Sequence, residues 1–378
     1  MQSKKITLLS GDGIGPEVSA EGEKLLIEIE KQFNYKFEII KKDFGGIAVD
    51  KHGTPLPEDT LNSCKKSDAV LLAAIGGPKY DNLPREKRPE TGLLGLRAGL
   101  CAFANLRPVI VFNALLESST IKPEVLKGTD LIVVRELTGG LYFGKPKGIE
   151  IKAGERTGFN TMIYTESEIK RIAKVAFEIA KKRKKKVTSI DKANVLDVSQ
   201  LWKDVVIEVS KNYPDVTLEH LYIDNASMQL IKNPKQFDVI LAENLFGDIL
   251  SDEGAMLSGS IGMLPSASLG DGTYPGIYEP VHGSAPDIAG KNLANPSAMM
   301  LSIGMMFKYS FNDEKAYDAI FNSVKNVLAE GYRTKDIMQE GCKPIGTKEM
   351  GELICTSLRE SIATEATSKA GKQSPSII

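Results

Sequence analysis

Short aliphatic runs alternate along the chain with longer stretches in which apolar residues recur every three or four positions. Residues 6–9, 69–75, 131–134 and 239–242 are of the first kind, and 187–190, with Thr188 and Ser189 between Val187 and Ile190, reads as a further strand. Runs this short and this apolar predict strands buried on both faces. The stretch over 166–182 is of the second kind, with Ile169, Ile172, Ala173, Ala176, Phe177 and Ala180 on one helical face. Thr165 and Glu168 stand three apart at its start, the spacing of a capping box, so the helix should begin there. Alternation of the two patterns predicts an α/β protein whose mostly parallel sheet is wrapped by helices.

The connections carry their own signals. GDGIGPE over 11–17 follows the first run and places Pro16 in the first turn of a helix, where its missing N–H costs nothing. Gly76, Gly77 and Pro78 stop the second run. Six consecutive cations over 181–186 close the helix that starts near 166, where the negative end of the helix dipole favours them; a solvated helix end is expected rather than a nucleic-acid patch. Residues 279–296, EPVHGSAPDIAGKNLANP, show neither helical nor strand period. Long irregular loops of this kind tend to carry function, and backbone wrapped around a cofactor is the expectation. The last ten or so residues read as a frayed tail.

Composition narrows the class. At 378 residues the chain should form two domains, or one large unit with a second lobe, with a core large enough to need no disulfide or structural metal. Basic side chains number 48 and acidic 49, which excludes a globally basic nucleic-acid binder. No apolar run approaches the roughly 18 residues of a membrane span. The apolar stretch behind Lys4 and Lys5 is too short for a secretory signal, and the four cysteines form no CxxC pair. A soluble protein with free thiols in a reducing cytoplasm is the expectation.

Candidate chemistry gathers where strands end. Asp248 and Asp252 lie four apart just beyond the run 239–242, so a helix there puts both carboxylates on one face, as a hard cation such as Mg2+ or Mn2+ requires. A solvated acidic helix face is the plainer alternative. Asp224 and Lys192 each follow a strand; a helix N-cap and a solvent-facing lysine are the corresponding alternatives. Arg97, Arg107 and Arg135 would grip a di- or tricarboxylate through bidentate forks, or else make ordinary surface ion pairs. The glycine loop at 11–17 is no Rossmann fingerprint, because Pro16 stands where the third glycine would be.

As an ordered set, GDGIGPE, PETGLLGLR, ANLRP, VRELTGGLYFG, DKANVL, YIDNASMQL, ENLFGDILSD and EPVHGSAPDIAGKNLANP resemble the isocitrate/isopropylmalate dehydrogenase family, and within it the isopropylmalate branch. The resemblance runs from about residue 5 to 360. It implies an isopropylmalate dehydrogenase-like two-domain fold, a large twisted mixed sheet flanked by helices and not Rossmann. The first domain would hold both termini and the NAD-binding loops, over 1–102 and 259–378, and the second, over 103–258, the dimer contact and the metal and substrate site. By the same resemblance Arg97, Arg107 and Arg135 hold the malate carboxylates, and Asp224, Asp248 and Asp252 hold Mg2+ or Mn2+, Asp224 also meeting substrate. Lys192 and Tyr142 do the proton chemistry, while Ile14, Glu279, His282, Gly283, Ser284, Ala285, Pro286, Asp287, Ile288 and Asn295 bind NAD.

The implied reaction oxidises (2R,3S)-3-isopropylmalate at C2 and releases CO2, giving 4-methyl-2-oxopentanoate, a step of leucine biosynthesis. Lys192 would take the hydroxyl proton and Tyr142 would return one to C3. Leu93 and Leu94, one turn before Arg97, with Glu90 a turn earlier, would accept the isopropyl group and repel an added carboxylate. Isocitrate, homoisocitrate and tartrate are the alternative substrates within the family, and a metal-dependent phosphoester hydrolase is the alternative outside it. The resemblance further implies a homodimer in which each active site draws residues from both subunits.

Overall fold

A computed structural model describes residues 1–371. Strand β1 (Gln2–Gly11) turns into helix α1 (Gly15–Gln32), and β2 (Tyr35–Lys41) is followed by α2 (Gly46–His52) and α3 (Glu58–Lys65). Next come β3 (Ala69–Ala74), α4 (Pro89–Gly99), β4 (Ala104–Ile110), α5 (Pro123–Leu126) and β5 (Asp130–Glu136). A short α6 (Gly140–Phe143) leads to the hairpin β6 (Gly148–Lys152) and β7 (Glu155–Phe159), then α7 (Glu166–Lys181), β8 (Lys186–Asp191) and α8 (Asp197–Ser210). The middle third closes with β9 (Thr217–Tyr222), α9 (Ile223–Lys232), β10 (Val239–Ala242) and α10 (Asn244–Leu257). The last third holds β11 (Pro265–Leu269), β12 (Ile277–Pro280), α11 (Ser297–Tyr309), α12 (Glu314–Ala329), the short paired strands β13 (Tyr332–Arg333) and β14 (Lys343–Pro344), and α13 (Thr347–Gly371).

Ten strands join in the order β2-β1-β3-β12-β11-β4-β5-β10-β8-β9, a large mixed sheet flanked by helices. β4 and β5 pair antiparallel, whereas β5, β10, β8 and β9 run parallel to one another. This order is not that of a Rossmann sheet.

The chain divides into two compact units: Met1–Leu96, Gly262–Ala267 and the described residues from Pro275 onward form the first, and Arg97–Ile261 with Ser268–Tyr274 the second. In the first unit α11 is buried on every side from Ser297 to Phe307, as a helix apolar all round must be. In the second, all six apolar residues of the 166–182 pattern are buried, and α7 lies against β5, β8 and β10. Phe177 at this face is fully buried, worth about 2–3 kcal/mol of transfer free energy. The capping box is present, with Thr165 Oγ1 accepting from the Glu168 N–H and the Glu168 carboxylate accepting from the Thr165 N–H.

Some local expectations change. Asp224 does not directly follow a strand: β9 ends at Tyr222 and Ile223 opens α9, so Asp224 lies inside the first turn and Tyr222 occupies the cap position. The cation run 181–186 is only partly solvated, since the Arg183 guanidinium donates to Asp130 and to the buried Asp238 at 2.8 Å each. A carboxylate that deep needs a partner, and the run supplies it. The expected frayed tail falls largely outside the described residues, α13 continuing to Gly371. Among the described residues no helix is long and apolar enough to cross a membrane.

Candidate active site

Three neighbouring parallel strands of the second unit, β5, β10 and β8, bring polar residues to the same edge: Arg135 and Glu136 end β5, Asp191 ends β8, and Glu243 follows β10. Open α/β sheets place their ligands at such carboxyl ends. Arg135 is the next-to-last residue of β5 and is 2% exposed. Arg107 on β4 pairs with Val133, which puts it diagonally beside Arg135 on the same face of the ladder. Arg97, in the last turn of α4, is also buried and near enough to repel Arg135 electrostatically.

Helix α10 faces these arginines. Asp248 Oδ1 accepts from Arg135 Nη1 at 2.5 Å and lies 3.5 Å from Arg107 Nη1, while its Oδ2 accepts from the Tyr142 hydroxyl at 2.9 Å. Asp252, one turn further along, accepts from Arg107 Nη1 at 3.1 Å, and Ser251 Oγ accepts from the same nitrogen at 2.7 Å. Both aspartates thus share a face, as their spacing requires.

The electrostatics of the cluster follow from burial and charge. Burial, then repulsion from Arg107, lowers the Arg135 guanidinium to about 10, still protonated at neutral pH. Burial alone would push Asp248 up, but Arg135 and then Arg107 outweigh it and hold the carboxyl below its ordinary range. Asp252 is pushed up, chiefly by burial, with Asp248 adding and Arg107 opposing. Tyr142 is raised to about 12 by burial and the Asp248 charge, so its hydroxyl keeps its proton. Three guanidinium groups around two carboxylates favour an anion, and two oxygen-only donors on one rigid face suit a hard cation.

Lys192 and Asp224 form a second group. Lys192, immediately after β8, donates from Nζ to Asp224 Oδ1 at 2.8 Å, and this bond holds the Asp224 carboxyl below its ordinary range. Asp191, buried beneath, accepts from the Ala193 N–H at 2.9 Å and shapes the turn that presents the lysine. Among the described residues, no three His, Cys, Asp or Glu side chains gather into one metal-holding group, so a single chain does not bring Asp224 to Asp248 and Asp252.

The first unit carries the irregular loop after β12. Glu279, His282, Ser284 and Asn295 are buried, Gly283, Pro286 and Asp287 exposed, and Ala285 and Ile288 half-buried. The loop is tied down where it passes α1. The Ile14 N–H donates to Ser284 O at 2.8 Å, and the Gly290 N–H donates to Glu17 Oε1. A Cβ on Gly13 would collide with Ser284 O, so only glycine allows this approach, and its φ of +58° is the left-handed conformation glycine tolerates. Asn295 Nδ2 donates to Asp336 Oδ2 at 3.1 Å. His282 is held neutral by burial; its Nδ1 bonds Gly283 O at 2.9 Å, and its buried Nε2 has no partner. An orphaned imidazole nitrogen on a loop that also carries the exposed Asp287 carboxylate fits a ligand with hydroxyls and a polar ring system.

On α4, Glu90 is exposed while Leu93 and Leu94 are half-buried one turn before Arg97. Three residues with clear roles had no signal of their own in the sequence reading. Asp12, inside GDGIGPE, is buried and accepts backbone N–H groups from Gly46, Ile47 and Gly76 at 2.7–2.8 Å. Asn244 grips Arg135, and the fully buried Glu136 accepts from Thr138, Gly139, Tyr164 and Arg171. All three stand within the motifs GDGIGPE, ENLFGDILSD and VRELTGGLYFG, but nothing short of the folded contacts shows what they hold.

A model of the family described as isocitrate/isopropylmalate dehydrogenase matches residues 5–354. The chain belongs to this family. As a member of the isocitrate/isopropylmalate dehydrogenase family it is an oxidoreductase. The 3-isopropylmalate dehydrogenase of Prochlorococcus marinus (strain MIT 9313) is 58% identical over 358 residues, spanning 95% of this chain and all of that one. That of Aquifex aeolicus is 57% identical, over 95% of this chain and 98% of its own. Among solved structures of the family, an isocitrate dehydrogenase from Methylococcus capsulatus superposes with a TM-score of 0.84 at 34% identity, covering 95% of this chain and 100% of that one. A beta-decarboxylating dehydrogenase from Thermococcus kodakarensis gives 0.78 at 31%, covering 96% and 98%.

Proposed function

We propose that the chain oxidises and decarboxylates (2R,3S)-3-isopropylmalate to 4-methyl-2-oxopentanoate and CO2 with NAD, a cytoplasmic step of leucine biosynthesis. The observation that carries the reading is the cluster of Arg97, Arg107 and Arg135 around Asp248, with Tyr142 hydrogen-bonded to the same carboxylate. Identity of 55–58% to several curated 3-isopropylmalate dehydrogenases supports this branch of the family over the isocitrate branch, one solved member of which is 34% identical. The phosphoester hydrolase alternative draws no support from the family. NADH absorbance after mixing the protein with NAD, Mg2+ and 3-isopropylmalate tests the proposal; faster NADH formation from isocitrate or tartrate would overturn it.

In this account the arginine forks hold the two carboxylates of the malate moiety and fix C2 and C3. Asp248 and Asp252, with Asp224 of the partner subunit, would hold Mg2+ or Mn2+. When bound, NAD accepts the hydride from C2 and the cation polarises the C2 oxygen. Lys192 takes the C2 hydroxyl proton, and Asp224 also meets the substrate. Tyr142, protonated at neutral pH, gives its hydroxyl proton to C3 after CO2 leaves. The stretch from Glu279 at the end of β12 through the loop to Asn295, with Ile14, holds NAD in the first unit, whereas the arginines and metal ligands belong to the second. A homodimer with shared sites accounts for the separation of the Lys192–Asp224 pair from Asp248. Exposed Met228 and Ile231 on α9, Ile249 and Met256 on α10, and Ile149 and Ile151 on the β6–β7 hairpin offer an apolar surface for a second copy.

Two specificity predictions follow from α4 and the loop. Leu93 and Leu94 accept the isopropyl group, and Glu90 repels a further carboxylate. Leu94→Ser should lower kcat/KM for 3-isopropylmalate roughly 10-fold or more, the worth of an apolar contact of this size, and affect malate less. Equal losses on both substrates would assign the residue to packing alone. Asp287 is exposed and would meet the adenosine ribose hydroxyls, so NAD should give the higher kcat/KM than NADP. Asp287→Lys should shift the preference toward NADP, since a 2'-phosphate beside a carboxylate is repelled; an unshifted ratio removes Asp287 from the cofactor site.

A further inference from the structure

The first turn of α10 is built around one side chain. Asn244 is 1% exposed, and its carboxamide uses both ends. Oδ1 accepts from Arg135 Nη2 at 2.7 Å and from Arg135 Nε at 3.1 Å, while Nδ2 donates to Leu137 O and Gly139 O at 3.1 Å each. Its backbone takes part as well: Asn244 O accepts from Arg135 Nε at 2.9 Å, and the Asn244 N–H donates to the Tyr164 hydroxyl at 3.0 Å. One turn along, Gly247 leaves room for the arginine stem, since a Cβ there would lie 2.6 Å from Arg135 Cγ. Asp248 then takes the free edge of the guanidinium through Nη1. Residues 244, 247 and 248 thus present a cap, a gap and a counter-charge to Arg135 from one helical face.

The same carboxamide reaches the segment that carries Tyr142. Leu137 and Gly139 precede α6, in which Tyr142 lies, and the buried Glu136 holds that segment from its other side through the Thr138 and Gly139 N–H groups. We propose that Asn244 is a positioning residue that holds Arg135 and the Tyr142 segment in one frame, fixing the arginine fork relative to the tyrosine hydroxyl. A bidentate guanidinium discriminates by angle as well as charge, so a fork freed from Asn244 keeps its charge but loses its aim. The inference rests on the substrate and proton roles proposed above for Arg135 and Tyr142.

A double-substitution cycle tests it, with KM for 3-isopropylmalate, KM for NAD and kcat measured for the wild type, Asn244→Ala, Arg135→Lys and the double variant. Asn244→Ala should raise the isopropylmalate KM about 10-fold or more and lower kcat, leaving the NAD KM within about twofold. In the Arg135→Lys background the same change should add less than about twofold to the isopropylmalate KM, because the fork it aims is already gone. A parallel rise in both KM values, or an undiminished effect in the Arg135→Lys background, would overturn the proposal. Gly247→Ala reaches Arg135 by a separate route and favours helix, so it serves if Asn244→Ala does not fold; an isopropylmalate KM within about twofold of wild type there also overturns it. Wild-type protein that forms no NADH from 3-isopropylmalate would sink the proposed reaction instead, while non-additive melting temperatures in the same cycle would still report the Asn244–Arg135 coupling.

Discussion

Mixing two inactive homodimers, Lys192→Met and Asp248→Asn, should restore about a quarter of wild-type activity once subunits exchange. Each variant alone should be slower by on the order of 10²-fold or more, one lacking the proton acceptor and the other a metal ligand and the counter-charge of Arg135. The recovery follows from where one chain places these residues: Lys192 bonds Asp224, and Asp248 bonds Arg135 and Tyr142, with no metal-holding trio among the described residues. If a site takes Lys192 and Asp224 from one subunit and the remainder from the other, a heterodimer has one doubly damaged site and one intact site. Random exchange makes about half the dimers heterodimers, and half their sites work. Were each site complete within one chain, every site would keep a lesion, and verified exchange would bring nothing back.

Tyr142→Phe should cost on the order of 10² to 10⁴ in kcat while leaving the isopropylmalate KM within a few-fold. The hydroxyl is what the substitution removes; the ring, 5.9 Å from the Arg135 guanidinium carbon, stays. Stopped-flow NADH formation separates the steps, because proton return to C3 follows hydride transfer, and the variant should show a fast first turnover and a slow steady state. The sign of the pH dependence is set by the raised tyrosine. With a folded-state pKa near 12 against about 10 unfolded, Tyr142 contributes stability present below pH 10 and lost as pH rises toward 12. Tyr142→Phe should therefore be less sensitive to alkaline unfolding over that window. Unchanged kcat would remove Tyr142 from the chemistry.

The parts of the molecule that obey local periodicity were legible in the chain. The α7 face and its capping box follow from a 3.6-residue period, and the pairing of Asp248 with Asp252 follows from a four-residue spacing on a helix. The Pro16 that breaks the dinucleotide fingerprint marks a sheet with another strand order. Contacts made across long sequence separations were not legible. The hold of Asn244 on Arg135 spans 109 residues and that of Asp12 on Gly76 spans 64, and neither leaves a period or a spacing to read. Arg183 was masked for the same reason, since its partner Asp238 lies 55 residues away, beyond what a run of cations reveals. Asp224 shows how a one-residue shift in an element boundary matters: with α9 beginning at Ile223, its carboxylate faces Lys192 instead of capping the helix.

The reaction couples oxidation to loss of carbon, and its stoichiometry shows the coupling. With limiting (2R,3S)-3-isopropylmalate and excess NAD and Mg2+, NADH, CO2 and 4-methyl-2-oxopentanoate should appear in equal amounts, each equal to the substrate consumed. NADH without CO2, or consumption of substrate without NADH, would contradict the account.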